Sequence, residues 1–524
     1  MNTTINLPAP SLDLKDIATF LTENGLLREI IQNDLWTLDN NQIQNQQFDA
    51  ITYDTRQITP SSLLFCKGNF KKEYIEQANT LGLTCYVSET PYEKETHATG
   101  VIVNDIRKAM ALLSARFYKN PEKHLFMIGI TGTKGKTTTT YYTHAILNHW
   151  TNKHTAILSS EADCLDGVNW IPADLTTPES LDLFRLLRTA VDNGMTHAVM
   201  EISSQAYKIN RVYGLHYNLG AFLNISPDHI SPIEHPTFED YFYSKRRIVQ
   251  NADKVVINNT LGWKTDLIKQ AAQISHCAYT TYSLDPSIPA DINGTIGISG
   301  TAHFYNKTTD FGNYKLAMEG DFNYENALAA VTIASTVGVD NLESFHALEQ
   351  IIIPGRMQRF TIDDGVIGYV DYAHNYISLK VLLNYVRSNN PNSRITVVTG
   401  TAGNKAIDRR EGLAKAASEN ADCLILTQED SDREDVRDIN NEVESFVTNP
   451  QLDVRQIYGN GRENAINTAF EDGKKDYQQT GRTNIILVIG KGDEAWVKIN
   501  GQHVVVRSDL DIVSSLAAEY KNNH

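Results

Sequence analysis

The chain has 524 residues, 41% of them hydrophobic and 21% charged, which is the composition of an ordinary soluble protein with several domains. Its net charge of −16 argues against nucleic acid or an anionic membrane as the main partner. Five scattered cysteines without a CxxC pair support neither a disulfide framework nor a zinc cluster, and a reducing cytoplasm fits. No signal peptide or membrane-spanning run is expected.

The first segment, residues 1–118, is predicted to be a small mixed domain. It ends with an apolar strand over 100–104 and a helix over 109–118. The sequence Lys119-Asn120-Pro121 then breaks the helix, because the residue before a proline disfavours helical geometry. We therefore place the first domain boundary after residue 118.

The second segment, residues 119–355, alternates short apolar strands with helical patterns. Largely apolar runs of this kind predict a buried parallel sheet. The clearest strands are 197–202, 221–225 and 254–258. The segment closes with a helix over 323–334 and the turn Pro354-Gly355.

The third segment, residues 356–524, repeats the rhythm of strand and helix. Its strands are predicted at 367–372, 395–399, 423–427 and 485–489. The predicted class is therefore α/β with three domains. The central one has a P-loop ATPase-type parallel sheet, and the C-terminal one is Rossmann-like and doubly wound.

A glycine-rich loop follows the apolar run 125–130 and precedes a helical pattern over 139–149. Its residues are Gly132, Thr133, Lys134, Gly135, Lys136, Thr137 and Thr138. Strand, glycine turn and helix form the context of a phosphate-binding loop, in which backbone N–H groups and the helix N-terminus favour an anion. Lys136 would reach the β- and γ-phosphates, and Thr137 would hold Mg²⁺. The strict Walker spacing is not met, because it requires glycine where Ile130 stands.

Four polar clusters follow this loop. Glu201, Asn224 and Asp371 close apolar runs, where open α/β sheets bind ligands, and Lys245 lies in a helical pattern. Each cluster alone has an ordinary structural explanation, such as a capped carboxylate or a solvated lysine. Because all four clusters follow the same phosphate loop in the sequence, we expect them to contribute to one site.

Here the sequence resembles the Mur ligases, the ATP-dependent amide-forming enzymes of peptidoglycan assembly. Among them it is similar to the branch that adds the third amino acid to UDP-MurNAc-L-Ala-D-Glu. Nine motifs in the family's order, over nearly the whole chain, carry the resemblance. They are Tyr53-Asp54-Thr55-Arg56, the phosphate loop, Thr176-Thr177-Pro178-Glu179, the stretches 200–206, 224–229 and 241–246, Gly320-Asp321-Phe322-Asn323, Gly355-Arg356-Met357 and Asp371-Tyr372-Ala373-His374.

The resemblance implies roles for individual residues. The catalytic residues would be Lys136, Lys245, His229 and Glu201. ATP would be bound by the phosphate loop together with Asn323, Asn326, Arg356, Asp371 and His374. Mg²⁺ would be held by Thr137, Glu201, His229 and Lys245, the lysine as a CO2-derived carbamate that supplies anionic oxygen. The UDP-MurNAc-dipeptide would be bound by Thr55, Arg56, Thr176, Thr177, Ser203, Ser204 and Arg211.

The resemblance also implies a mechanism. ATP would phosphorylate a carboxylate to an acyl phosphate, and the amine of an amino acid would then displace phosphate. Such catalysis depends on positioning and on charge neutralisation. Three substrates held by three domains suggest that the third domain closes before chemistry.

The pocket for the incoming amino acid differs from that of the family's diaminopimelate-adding members. Those members carry Asp-Asn-Pro-Arg where this chain has Thr427-Gln428-Glu429-Asp430-Ser431-Asp432, so that Asp432 replaces the arginine. A carboxylate there repels a distal carboxylate and attracts a distal ammonium. The predicted amino-acid site comprises Lys405, Glu429, Asp430, Asp432, Gly492 and Glu494, with Lys405 where the family usually has an arginine.

The sequence therefore predicts an ATP-dependent ligase for L-lysine. L-Ornithine and meso-diaminopimelate are the alternative amino acids, and a solvated acidic loop is the alternative for 429–435. A folylpolyglutamate-synthetase-like ligase would share the loop but lack the first domain. A P-loop motor or switch would need no amino-acid pocket. The expected partners are UDP-MurNAc-dipeptide, L-lysine and ATP, bound to a monomer without stable membrane association.

Overall fold

A computed structural model describes residues 7–231, 234–297, 300–404 and 407–523. Three large sheets with helices packed against them make up this part of the chain, which confirms the α/β class. Each sheet lies inside one of the three predicted segments, and the boundaries at 118 and 355 remain predictions. Among the described residues, no helix is both long and apolar enough to cross a membrane.

The N-terminal sheet has six strands, mostly parallel, with an antiparallel edge. In spatial order they are Leu35–Thr37, Leu27–Gln32, Thr99–Val103, Cys85–Ser88, Ser62–Phe65 and Ala50–Thr52. A separate pair is formed by Leu12–Asp13 and Gln47–Phe48. The α-helices are Leu14–Glu23, Lys72–Thr80 and Ile106–Phe117.

The central sheet has eleven strands, parallel in the middle and antiparallel at both edges. In spatial order they are Trp170–Pro172, Ala162–Cys164, Thr155–Leu158, His197–Glu201, Phe126–Thr131, Tyr217–Phe222, Ala252–Asn258, Ala278–Ser283, Ile292–Ile296, Ala302–Tyr305 and Asp310–Tyr314. The α-helices are Lys136–Trp150, Ser180–Asp192, Ser204–Lys208, Phe238–Arg246, Trp263–Ile274, Asp321–Val337 and Leu342–His346.

The C-terminal sheet has six strands, all parallel except one at the edge. In spatial order they are Gln358–Asp363, Val366–Asp371, Asn484–Ile489, Arg394–Thr399, Cys423–Leu426 and Asp453–Gln456. A hairpin follows, Trp496–Ile499 with Gln502–Val505. The α-helices are Tyr376–Asn389, Asp408–Asn420, Val436–Ser445, Glu463–Thr480 and Asp509–Asn523.

The middle of the central sheet is covered on both faces, which is why strands such as Phe126–Thr131 are apolar and buried. Successive side chains of a strand point to opposite faces. Met127 accordingly packs into one hydrophobic cluster, and its neighbours Ile128 and Ile130 pack into the other. A sheet buried on both sides holds its strand ends in fixed positions. The polar residues at those ends, such as Glu201, are therefore held in place as well.

Several predicted strands differ from the structure by one residue at one or both ends, and the strand predicted over 221–225 differs most. The apolar run 221–225 was expected to pair, but the strand is Tyr217–Phe222 and ends three residues earlier. Leu223 and Ile225 are buried without being part of the strand, because an apolar pattern reports burial and not hydrogen bonding. The chain leaves the sheet here, and Asn224 turns toward the phosphate loop.

The buried His144, on the helix Lys136–Trp150, is expected to make the fold less stable in acid. His144 is 5% exposed, its Nε2 lies 3.1 Å from the Thr155 carbonyl oxygen, and burial lowers its pKa to about 4. Below the ordinary pKa of about 6.5 the unfolded chain binds a proton that the folded chain does not, so stability falls with pH toward 4. We expect the loss at pH 5 to be ~2 kcal/mol from this residue.

The variant His144→Gln keeps an N–H donor for Thr155 but does not titrate. Urea unfolding of both proteins at neutral pH and near pH 5 measures the difference. The variant should lose less free energy of unfolding on acidification than the wild type. Equal losses would mean that His144 is not the group responsible.

Candidate active site

The glycine-rich loop has the predicted setting. The strand Phe126–Thr131 ends directly before it, and the helix Lys136–Trp150 begins at its last lysine. Gly135 has a left-handed φ of 78°, and a Cβ there would lie 2.2 Å from Oδ1 of Asn326. Only glycine fits, because the backbone is left-handed and a neighbouring helix approaches closely. The backbone is thus shaped for a phosphate at a helix N-terminus.

The two lysines of the loop have different partners. Lys136 Nζ donates to the carbonyl oxygens of Gly132 and Thr133, at 3.1 and 3.2 Å. Lys134 Nζ lies 3.3 Å from Oδ2 of Asp228, and its backbone is held by the Asn224 amide. Burial lowers the pKa of both ammonium groups. Both are therefore cations drawn partly out of water, which favours binding of an anion.

A hydroxyl and a carboxylate meet behind the loop. Thr137 Oγ1 donates to Oε2 of Glu201 over 3.2 Å, and Glu201 is fully buried at the end of its strand. The backbone N–H of Ser160 donates to the other Glu201 oxygen at 2.7 Å. Oxygen donors of this kind are the ligands that Mg²⁺ prefers.

Lys245 and His229 also lie beside the loop. Lys245 Nζ is 2% exposed and donates to the Gly132 carbonyl oxygen at 2.8 Å, and burial lowers its pKa well below the ordinary value. His229 packs against the ring of Tyr241, whose hydroxyl donates to Thr133. Glu201, Lys245 and His229 thus lie around the loop that carries Thr137, the fourth predicted metal-site residue.

A cavity of about 370 Å³ opens between the phosphate loop and the C-terminal sheet. That is a volume typical of small-ligand sites. The predicted ATP residues in its wall are Lys134, Gly135, Thr138, Asn323, Asn326, Arg356, Asp371 and His374. The structure therefore brings residues from two distant segments of the chain together around one space.

The same cavity has an apolar wall that sequence reasoning did not identify. Its members include Ile377, Val381 and Leu382, on the helix Tyr376–Asn389. An apolar surface opposite a phosphate loop suits a purine ring. The only sequence signal was the helical spacing of these residues, which is equally typical of a protein core.

Beside the cavity, Asp228 connects the central and C-terminal segments. It lies 3.3 Å from Lys134 and 3.5 Å from Arg409, and it accepts a hydrogen bond from Nδ2 of Asn375. Burial alone would raise the pKa of Asp228, but Lys134, His229 and Arg409 hold it well below its usual range. Burial, reinforced by Lys134 and Arg409, lowers the pKa of His374, so this imidazole is neutral. Neither Arg409 nor Asn375 was predicted.

Four of the residues predicted for the muramyl dipeptide lie next to Glu201: Thr176, Thr177, Ser203 and Ser204. Thr177 Oγ1 donates to the Glu201 carbonyl oxygen, and the Ser203 N–H donates to Thr177. Thr176 contacts Ser160 Oγ, which also binds the Glu201 carboxylate. Ser204 begins the short helix that Ser203 caps. These hydroxyl groups therefore adjoin the predicted metal site.

Arg211 is one of three cations gathered around Glu179. Arg211 and Lys67 lie 2.9 and 2.8 Å from the Glu179 carboxylate, and Arg107 lies 3.7 Å away. Lys67 and Arg107 come from the N-terminal segment and were not predicted. Thr55 and Arg56 begin a 3-10 turn, where the Arg56 side chain is 78% exposed and pairs with Asp54.

The acidic residues predicted for the amino acid are largely paired in the structure. Lys491 Nζ bridges Asp430, at 3.1 Å, and Glu494. Glu429 is buried, and its Oε2 has no hydrogen-bond partner among the residues that the structure describes. Gly492 has φ 57°, and a Cβ there would lie 2.5 Å from the Tyr372 ring. The pocket therefore contains a group of carboxylates together with nearby cations: burial raises the pKa of Glu429, while Arg462, Lys491 and Arg409 all act to lower it.

Asp432 stands apart from that group. It accepts a hydrogen bond from the Gly501 N–H at 2.8 Å and lies 3.5 Å from Lys498 Nζ, so that it also holds the C-terminal hairpin. A role in amino-acid selection remains a prediction for this residue. Lys405 lies outside the described residues.

Comparisons with known proteins cover both the site and the full chain. The family model "Mur ligase middle domain" matches residues 130–334, and "Mur ligase, glutamate ligase domain" matches residues 355–492. The chain is 46% identical over 519 residues to the UDP-N-acetylmuramyl-tripeptide synthetase of Bifidobacterium longum (strain NCC 2705), covering 97% of this chain and 99% of that one.

Two further similarities extend this result. The UDP-N-acetylmuramoyl-L-alanyl-D-glutamate--L-lysine ligase of Enterococcus faecalis (strain ATCC 700802 / V583) is 41% identical, over 94% of this chain and 96% of that one. A solved UDP-N-acetylmuramoyl-L-alanyl-D-glutamate--2,6-diaminopimelate ligase is 25% identical with a TM-score of 0.60, over 91% of this chain and 96% of that one. The chain belongs to the Mur ligase family.

Proposed function

We propose that this protein is an ATP-dependent ligase that adds L-lysine to the D-Glu of UDP-MurNAc-L-Ala-D-Glu through an acyl phosphate, in peptidoglycan precursor synthesis. The observation that carries the proposal is the cavity that joins the phosphate loop to Arg356, Asp371 and His374, with the dipeptide residues beside it. A nucleotide in the cavity would direct its γ-phosphate toward the Thr137–Glu201 pair. The carboxyl group to be activated would lie among the neighbouring hydroxyl groups.

The residues around the loop fit Mg²⁺. Thr137 and Glu201 would hold one ion, and His229 with a carbamylated Lys245 would hold another. Within the described residues, no three His, Cys, Asp or Glu side chains form a cluster that could hold a metal alone. That suits Mg²⁺, which is usually bound by one or two carboxylates together with substrate phosphates and water. When bound, it would neutralise charge on the phosphate oxygens.

The chain's own residues perform the remaining work. Lys136 would leave the carbonyl oxygens of its loop and bind the transferred phosphoryl group. Arg356 Nη2, 3.5 Å from Thr137 Oγ1, would neutralise the same oxygens from the opposite side of the cavity. Catalysis by positioning and electrostatics of this kind is the general pattern of phosphoryl transfer.

The choice of lysine is supported by charge. Asp430 and Glu494 share Lys491, and within the described part of the chain Glu429 Oε2 accepts no hydrogen bond, so carboxylate oxygens line the pocket where a distal ammonium would bind. Such a pocket attracts a distal ammonium and repels the distal carboxylate of diaminopimelate. The similar L-lysine ligase of Enterococcus faecalis adds independent support.

The direct test measures phosphate release from ATP with UDP-MurNAc-L-Ala-D-Glu and each of L-lysine, L-ornithine and meso-diaminopimelate. We expect release that requires the dipeptide and is fastest with L-lysine. Release without the dipeptide would indicate a P-loop motor or switch. Release with a folate and glutamate would indicate a folylpolyglutamate-type ligase, although the N-terminal sheet argues against it.

Amino-acid selection is tested by charge reversal. Asp432→Arg should lower kcat/KM for L-lysine relative to diaminopimelate by on the order of 10²-fold, because it turns an attraction into a repulsion. Because Asp432 also holds the hairpin, Glu494→Gln is the second variant, which removes charge without changing shape. The kcat/KM ratio should fall in both, and an unchanged ratio in both would contradict the lysine assignment.

We further propose that the enzyme works as a cytoplasmic monomer, since ATP and the nucleotide-linked sugar are cytoplasmic substrates. The Lys245 carbamate belongs to this proposal as well. Its position supports it, because the amine lies against the phosphate loop and beside the Tyr241 ring, where an anionic oxygen could reach a metal ion.

A further inference from the structure

Three side chains meet where the central and C-terminal segments touch. Glu161, in the loop after the strand Thr155–Leu158, places Oε2 3.0 Å from the Tyr372 hydroxyl. The same hydroxyl contacts Oδ1 of Asp493. The other oxygen of Glu161 accepts a hydrogen bond from Arg356 Nη2 at 2.9 Å. We call Glu161, Tyr372 and Asp493 the carboxylate–phenol cluster.

The cluster has too few protons for its acceptors. A phenol has one proton, yet two carboxylates lie against it. Burial raises the pKa of Glu161, and the charge of Asp493 raises it further, while Arg356 acts in the opposite direction. Burial also raises the pKa of Tyr372, so its proton stays on oxygen. An ammonium group with three N–H donors would satisfy both carboxylates.

The cluster lies between the two reacting parts of the site. On one side, Arg356 joins Glu161 to Thr137 of the phosphate loop, and Ser160 joins it to the dipeptide residues. On the other side, Asp493 directly precedes Glu494 of the predicted lysine pocket, and a Cβ on Gly492 of that pocket would lie 2.5 Å from the Tyr372 ring. An amino acid with its side chain in that pocket would have its α-amino group near the cluster.

We propose that the carboxylate–phenol cluster receives the α-ammonium group of the incoming amino acid and that Glu161 takes a proton from it. This rests on the proposed function. An N–H bond breaks as an O–H bond forms on Glu161, and the freed nitrogen lone pair attacks the acyl carbon. The C–N bond forms, and the C–O bond to phosphate breaks with its electron pair leaving on phosphate. The second proton of the nitrogen passes to the departing phosphate.

The groups around Glu161 fit a residue that binds and releases a proton. Arg356, Tyr372 and Asp493 face the Glu161 carboxyl from the C-terminal segment. The Tyr141 hydroxyl, on the helix Lys136–Trp150, also lies near this carboxyl. The Glu161 and Asp493 carboxylates repel each other. An ammonium group bound between them would be attracted to both. A carboxyl with a raised pKa is also the stronger base for an ammonium proton.

The test compares two nucleophiles with one acyl phosphate. L-Lysine arrives as an ammonium and must lose a proton, whereas hydroxylamine is neutral at neutral pH and captures the acyl phosphate as a hydroxamate. In Glu161→Gln the amide can still accept from Arg356 and contact Tyr372. We expect kcat/KM for L-lysine to fall on the order of 10²-fold at neutral pH, with hydroxamate formation within about twofold of wild type. The deficit should shrink as pH rises, because free amine becomes abundant.

The control is Glu319→Gln. The Glu319 side chain accepts hydrogen bonds from Tyr369 and Tyr385 across the same boundary and is not part of the cavity wall, and the substitution keeps the backbone carbonyl oxygen that accepts from Asn323. It should change both reactions equally, if at all. An equal fall for both nucleophiles in Glu161→Gln, or a deficit that does not vary with pH, would overturn the proposal and leave Glu161 a contact between segments. If the wild type forms no hydroxamate from UDP-MurNAc-L-Ala-D-Glu, the proposed function itself fails.

Discussion

Replacing Lys136 by alanine should reduce ATP-dependent ligation by on the order of 10³-fold or more while the protein stays folded. The ammonium group is the loop's cation for the transferred phosphoryl group, and no backbone group can replace its charge. In the structure Nζ contacts only carbonyl oxygens of its own loop among the described partners, so its loss removes little packing. Phosphate release and circular dichroism measure the two effects.

Lys269→Ala is the matched control for this variant. Lys269 is also a helical lysine of the central segment, but its Nζ donates to Asn259 away from the phosphate loop. Its ligation rate should equal that of the wild type. A folded Lys136→Ala enzyme with nearly normal ligation would refute the assignment of the phosphate loop.

Replacing Lys245 by alanine should leave the enzyme nearly inactive, and high bicarbonate should not restore it. The side chain is buried against the Gly132 carbonyl oxygen, so that a carbamate would place anionic oxygen at the loop. Short carboxylic acids should restore part of the activity by supplying the missing oxygens. The measurement is kcat with and without acetate or formate.

Two further results bear on Lys245. The neighbouring Arg246→Ala variant should stay active, because the Arg246 guanidinium lies over the rings of Phe242 and Tyr243 and not at the loop. Wild-type enzyme in ¹³C-labelled bicarbonate should show a carbamate carbon by NMR that Lys245→Ala lacks. Full activity of Lys245→Ala without added acids would rule out the carbamate.

The sequence was most informative where the local structure depends on residues close to one another in the chain. The phosphate loop could be predicted because Gly135, the preceding apolar strand and the following helix lie within a few positions of one another. The polar residues at the strand ends could be predicted for a related reason. Parallel strands end at one edge of a sheet, so Glu201 and Asp371 had to lie at such edges.

Predictions were weaker where a residue is buried without belonging to a strand, and where its partner is distant in the sequence. The strand expected over 221–225 ends at Phe222, although Leu223 is buried in the hydrophobic core, because an apolar pattern reports burial and not strand pairing. The acidic residues were visible in the sequence, but their partners were not. Lys491 stands three residues before Glu494 and far along the chain from Asp430, and only the fold unites them.

The sequence by itself determined the α/β class, the phosphate loop and the family, because these depend on local patterns and on motifs in order. The tertiary structure alone decided how the segments meet. Glu161 and Tyr372 are 211 positions apart, and no periodicity links them. Their contact arises because the C-terminal sheet presents its strand ends to the central one, and that arrangement depends on packing between surfaces distant in the chain.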